Sequence, residues 1–195
     1  DMVLIITPYY NKTSQKGLYA HFSAINDAIN IPIMLYNVPS RTGMNITPLM
    51  LDKLADLNNV VAIKEASGDL SQVAKMAELC GDRIAIYSGN DDQIVPILSL
   101  GGAGVVSVLA NILPEETHNI CEKYFLGEVI ESRNLQLKYL SLANSLFIET
   151  NPIPVKTAMN LMNFNCGPLR LPLCEMEDSN LVILEENLKA NGLIK

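Results

Sequence analysis

Lys64 closes an apolar run in VVAIKEASG (60–68), where it either marks the point at which a strand meets water or sits partly buried for a chemical purpose. Val60, Val61 and Ile63 are β-branched and favour a strand. An unbroken apolar run suits a strand covered on both faces, as in a parallel sheet. An amine desolvated at such a strand end has its ammonium form disfavoured, which lowers its pKa from the reference value of about 10.4. The neutral amine then attacks a ketone and gives a protonated Schiff base, an electron sink for making or breaking a carbon–carbon bond. A tyrosine hydroxyl relays protons for such chemistry, and an arginine fork suits a substrate carboxylate. Tyr9, Tyr10, Tyr36 and Arg41 all fall just after, or at the end of, other apolar runs. Each also has a plainer reading. A strand-terminal lysine can simply reach solvent. Tyr9 and Tyr10 can cover a rim with their hydroxyls in water. Arg41, in PSRTG (39–43), can be an ordinary surface arginine, and Asp91 with Asp92 a helix start rather than a catalytic pair.

The elements that must hold these residues alternate strongly. Strands are expected over 3–8, 31–37, 60–65, 83–89 and 103–110. Helices are expected over 14–30, from Thr47 as cap to about Leu57, over 70–80, through DDQIVPILSLG (91–101), and over 114–128. Helical crossovers make the strands parallel. Five such units fit either an open doubly wound sheet or part of a (β/α)8 barrel, and in both the active site gathers at the C-terminal strand ends. Two regions are expected: 1–128, the alternating part, and 129–195, a helical region broken at NPIPVK (151–156) and GPLRLPL (167–173). GGAG (101–104) precedes a strand and opens no helix, so it is no dinucleotide fingerprint.

Composition excludes several function classes. With 49% hydrophobic and 18% charged residues over 195 positions, the chain has the material for a substantial core. A net charge of −7 with no basic run argues against nucleic acid and anionic membrane as partners. Cys80, Cys121, Cys166 and Cys174 lack CxxC spacing and read as reduced packing residues of a cytoplasmic protein. His21 and His118 are the only histidines, so no metal site is expected. No segment approaches a transmembrane helix in length.

Taken together, TPYYN (7–11), LYNVPSRTG (35–43), IKEASG (63–68), SGND (88–91), GGAGVVSV (101–108) and NPIPVK (151–156) run in order along nearly the whole chain. This set resembles the dihydrodipicolinate synthase (4-hydroxy-tetrahydrodipicolinate synthase) family of the N-acetylneuraminate lyase superfamily. The resemblance implies a (β/α)8 TIM barrel with a helical C-terminal region. It also implies a class I lyase, cytoplasmic and homotetrameric, that condenses pyruvate with L-aspartate 4-semialdehyde in lysine and diaminopimelate biosynthesis. No cofactor is implied beyond the covalent Schiff base between Lys64 and pyruvate. By the same resemblance Tyr36 is the central proton relay, and Tyr10 completes the relay of a neighbouring subunit. Arg41 binds the semialdehyde carboxylate, and Gly89 and Val106 line the pyruvate pocket through backbone. Tyr9 lies near an interface site where lysine inhibits some members. The arginine of PSRTG favours the synthase over N-acetylneuraminate lyases, which typically lack it; other pyruvate aldolases of the superfamily are the alternative.

The sequence departs from the family in one large respect. Three strand–helix units that the family places first are absent, and with them the Gly-Thr-Thr-Gly motif, whose threonine links the relay. The chain is therefore expected to be a fragment lacking the N-terminal third, holding units four to eight. Five of eight strands leave two unpaired edges and an exposed apolar face, so a catalytically silent, self-associating piece is a competing reading.

Overall fold

Val, Ile and Leu crowd the segments that become strands, and capping residues mark where the intervening helices begin. The computed structural model describes residues 1–195 and divides into two compact units, Asp1–Val106 and Ser107–Lys195. In the first unit the order is β1 (Val3–Ile6), α1 (Gln15–Ala28), β2 (Ile33–Asn37), α2 (Pro39–Thr42), α3 (Pro48–Leu54), β3 (Val60–Glu65), α4 (Leu70–Cys80), β4 (Ala85–Ser88), α5 (Ile94–Ser99) and β5 (Gly104–Val105). Ser14, Thr47 and Asp69 cap α1, α3 and α4 by accepting from Gly17, Met50 and Gln72 backbone N–H groups.

All five strands are parallel, in the order β1-β2-β3-β4-β5. That order decides between the two architectures. A doubly wound sheet reverses its strand order at a switch point. Consecutive right-handed crossovers without a reversal put every helix on one face, as in a barrel wall. α1 packs on α3, α3 on α4 and α4 on α5 in one layer. Leu18 and Phe22 of α1, Leu51 and Leu54 of α3, and Val73 and Met76 of α4 pack in one core with Leu35, Ile63 and Ile86 from the sheet. Each fully buried side chain of this kind contributes roughly 1.5–3 kcal/mol.

In the second unit, α6 (Pro114–Phe125), α7 (Val129–Lys138), α8 (Leu140–Ser145), α9 (Ile153–Leu161) and α10 (Asp178–Ala190) surround a core that includes Leu109, Leu142, Leu146, Leu184 and Leu188. Ser132 Oγ donates to the Ile120 carbonyl at 2.6 Å and ties α7 to α6. Glu149 accepts from Glu177 N and Asn180 Nδ2 and anchors the start of α10.

Three details differ from the sequence expectation. The strand expected over 103–110 is only Gly104–Val105; beyond it the chain makes a 3-10 turn at Leu109–Asn111, with Ser107 Oγ accepting from Ala110 N. PSRTG forms the single helical turn α2, closed by Gly43 at φ 65°. NPIPVK starts a helix rather than breaking one, because prolines in a first turn give up no needed N–H. The compact units divide at Val106, and α6 packs against α7; the boundary expected at Glu128 marks instead the end of the strand–helix alternation.

Candidate active site

The strands alternate their side chains between two faces, and the parallel register lines up equivalent positions. Leu35, Ile63 and Ile86 form one row, turned to the helices. The next row, on the opposite face, is Ile6, Tyr36, Lys64, Tyr87 and Gly104. Register therefore places Lys64 beside Tyr36, and the Lys64 Nζ lies 4.4 Å from the Tyr36 ring centroid. Reaching this match takes a one-residue slip between Ile33 and Met34, which leaves Val61 unpaired.

Burial holds the Lys64 amine below its ordinary pKa; the Asp91 carboxylate pulls it back up, and the Arg41 guanidinium pushes it further down. Burial raises the Tyr36 phenol, with Arg41 acting against it. Burial thus biases the pair in the direction that amine attack requires, toward a neutral lysine and a protonated tyrosine.

The other expected residues fall around this pair to different degrees. Arg41 is exposed on α2, close enough for its charge to reach both. Gly89 donates its N–H to the Glu65 carbonyl at 2.8 Å, and a Cβ there would come within 3.1 Å of Lys64 Cε and 2.7 Å of Ala66 Cβ. Val106 donates to the Ser88 carbonyl, just past β5. Tyr10 is 88% exposed and Tyr9 69% exposed, so neither is packed within this chain.

Three features escaped the sequence reading. Asp91 opens a 3-10 turn before α5, as a helix start would, yet it is buried and its charge acts on Lys64. Tyr87 stands in the same row as Lys64, and Gly104, at φ 149°, leaves its ring room. Asn37 and Glu65 bond to one another behind the site. Strand parity could have flagged the last pair: both are polar at positions that face helices. No group of three or more His, Cys, Asp or Glu side chains is arranged to hold a metal ion.

The dihydrodipicolinate synthetase family profile matches residues 1–191. The chain belongs to this family. It is 67% identical over 195 residues to 4-hydroxy-tetrahydrodipicolinate synthase 1 of Clostridium acetobutylicum, covering all of this chain and 67% of that protein. The crystal structure of dihydrodipicolinate synthase from Thermotoga maritima superposes with a TM-score of 0.95 at 43% identity, over 98% of this chain and 66% of that one. The chloride-inhibited dihydrodipicolinate synthase from Acinetobacter baumannii, complexed with pyruvate, gives a TM-score of 0.96 at 38% identity, over 100% and 67%. The chain spans about two thirds of the length of the relatives it matches, 64% in the case of the Clostridium novyi synthase. The five-stranded sheet is accordingly part of a dihydrodipicolinate synthetase TIM barrel.

Proposed function

We propose that the full-length protein is a 4-hydroxy-tetrahydrodipicolinate synthase, a cytoplasmic lyase that condenses pyruvate with L-aspartate 4-semialdehyde. The observation that carries this reading is the Lys64 amine, depressed by burial and set over the Tyr36 ring at the C-terminal ends of adjacent parallel strands. Residues 1–128 supply units four to eight of the barrel, and 129–195 the helical C-terminal region.

The neutral Lys64 amine attacks the pyruvate C2 carbonyl, and the carbinolamine loses water to give the protonated imine. Loss of a C3 proton gives the enamine, whose C3 attacks the aldehyde carbon of the semialdehyde. The aldehyde oxygen takes up a proton as it becomes a hydroxyl. The substrate amine then displaces Lys64 from C2 as the ring closes, and the enzyme amine is released. Tyr36 holds its proton near neutrality and so serves as the relay for the transfers that surround imine formation. The Arg41 fork takes the semialdehyde carboxylate. Gly89 and Val106 bring backbone, not side chain, to the pyruvate pocket. The exposure of Tyr10 suits a residue that completes its relay in a second copy of the chain, and Tyr9 beside it suits the lysine-responsive interface. No further cofactor is needed, because the imine itself is the electron sink.

Lys64→Ala is expected to abolish condensation in the full-length protein while leaving its fold intact by circular dichroism. Condensation that persists in that variant sinks the reading.

A further inference from the structure

Tyr36 and Lys64 each precede a fully buried polar residue, and those two residues are bonded to each other. Asn37 Nδ2 donates to Glu65 Oε2 at 2.8 Å, with both side chains almost wholly buried. Both residues make further hydrogen bonds. Asn37 Nδ2 also donates to Asn45 Oδ1 at 2.9 Å, and Asn37 Oδ1 accepts from Ile46 N at 2.9 Å. Glu65 Oε1 accepts from Ser67 N at 2.7 Å. Asn45 Nδ2 passes the chain of bonds to Gln72 Oε1 on α4 at 2.7 Å. The network lies on the helix side of the sheet, opposite the row that contains Tyr36 and Lys64.

Strand ends are where a ladder loses its last restraints, and these two ends carry the reacting groups. A buried carboxylate is a costly restraint: apolar side chains of similar volume would often be as stable or more so. What the bonded pair supplies that an apolar pair does not is a fixed, directional link from β2 to β3, one residue past Tyr36 and Lys64. Supporting bonds of this kind set how closely a site keeps its productive geometry.

We propose that Asn37 and Glu65 are positioning residues, whose buried hydrogen bond locks the ends of β2 and β3 and so holds the Lys64 amine against Tyr36. The inference rests on the Schiff-base reading above. It assigns the pair no contact with substrate.

The polarity of the bond makes it testable. Glu65→Gln turns one of two acceptors into a donor, which then faces either Asn37 Nδ2 or Ser67 N. Asn37→Asp sets carboxylate against carboxylate. The double variant Asn37→Asp/Glu65→Gln restores a donor–acceptor pair with the direction reversed, once the half-buried Asn45 and Gln72 both turn their amides. The readout is the rate at which borohydride traps pyruvate on Lys64 across pH, in the full-length protein, beside thermal unfolding. Each single variant should slow trapping by about tenfold or more and displace its pH midpoint, and the double variant should recover to within about threefold of wild type. Single variants that trap at the wild-type rate and midpoint while only melting earlier would overturn the proposal and reduce the pair to a stabilising contact. If the single variants do not fold, Asn45→Ala removes one partner of the Asn37 amide from a half-buried position; slower trapping supports the proposal, and unchanged trapping overturns it. Wild-type protein that forms no adduct on Lys64 would instead overturn the Schiff-base reading, and this inference with it.

Discussion

At Lys64, three influences of different sign meet, and each can be removed separately. Burial lowers the amine pKa, Asp91 raises it and Arg41 lowers it. Asp91→Asn withdraws a negative charge that favours the ammonium, so the pH midpoint of imine formation should move to lower pH. Arg41→Met withdraws a positive charge, so the midpoint should move to higher pH. The same change should raise KM for the semialdehyde by about tenfold or more, since a hydrogen bond to a charged group is worth about 1.5–3 kcal/mol. Trapping rates against pH and steady-state kinetics check these signs; midpoints that move together in both variants would contradict the assignment. Gly89→Ala brings a methyl within 3.1 Å of Lys64 Cε and should cut trapping by roughly 10- to 100-fold through misplacement of the amine. Lys64, Tyr36 and Arg41 were legible in the sequence because each ends or follows an apolar run. The nearness of Asp91 was not, because it depends on how a 3-10 turn folds a motif back toward the neighbouring strand.

At the scale of elements, β2 and β3 do more than carry residues. Their helix-facing row contributes Leu35 and Ile63 to the core and then, at its end, Asn37 and Glu65. Glu65 has its pKa raised chiefly by burial, against hydrogen bonds from Ser67, Asn37 and Gln72. A folded-state pKa above the unfolded value means that its stabilising contribution is fully present below the ordinary carboxylate range, about pH 4, and is lost as pH rises through the raised value. The stability of wild type relative to Glu65→Gln should therefore fall from acid to neutral pH in urea unfolding. A difference that is flat with pH would contradict a raised Glu65. On the same face, Phe22→Ala should cost about 3–5 kcal/mol, since the ring is fully enclosed between α1 and the sheet. The strand–helix alternation was readable from apolar periodicity and caps. The brevity of β5 was not, since VVSVLA has strand-forming composition, yet Leu109 belongs to the core of the second unit. Nor was the one-residue slip in β3, which only pairing with β2 reveals.

For the whole molecule, strand order is the decisive fact. Five parallel strands in sequential order are an arc of barrel, with β1 and β5 as edges. Leu4, on the face away from the helices, is 49% exposed. Open edges and apolar surface of this kind invite association. The 195-residue chain produced alone should therefore self-associate in analytical ultracentrifugation and turn over little substrate; a monodisperse, active monomer would contradict this. The four cysteines are free, and no helix is long and apolar enough to cross a membrane. The most direct test of the central claim is to incubate the full-length protein with pyruvate and borohydride, then map the adduct by mass spectrometry. The account predicts one reduced pyruvyl group, on Lys64. A folded protein that carries none, or carries it on another lysine, would contradict it.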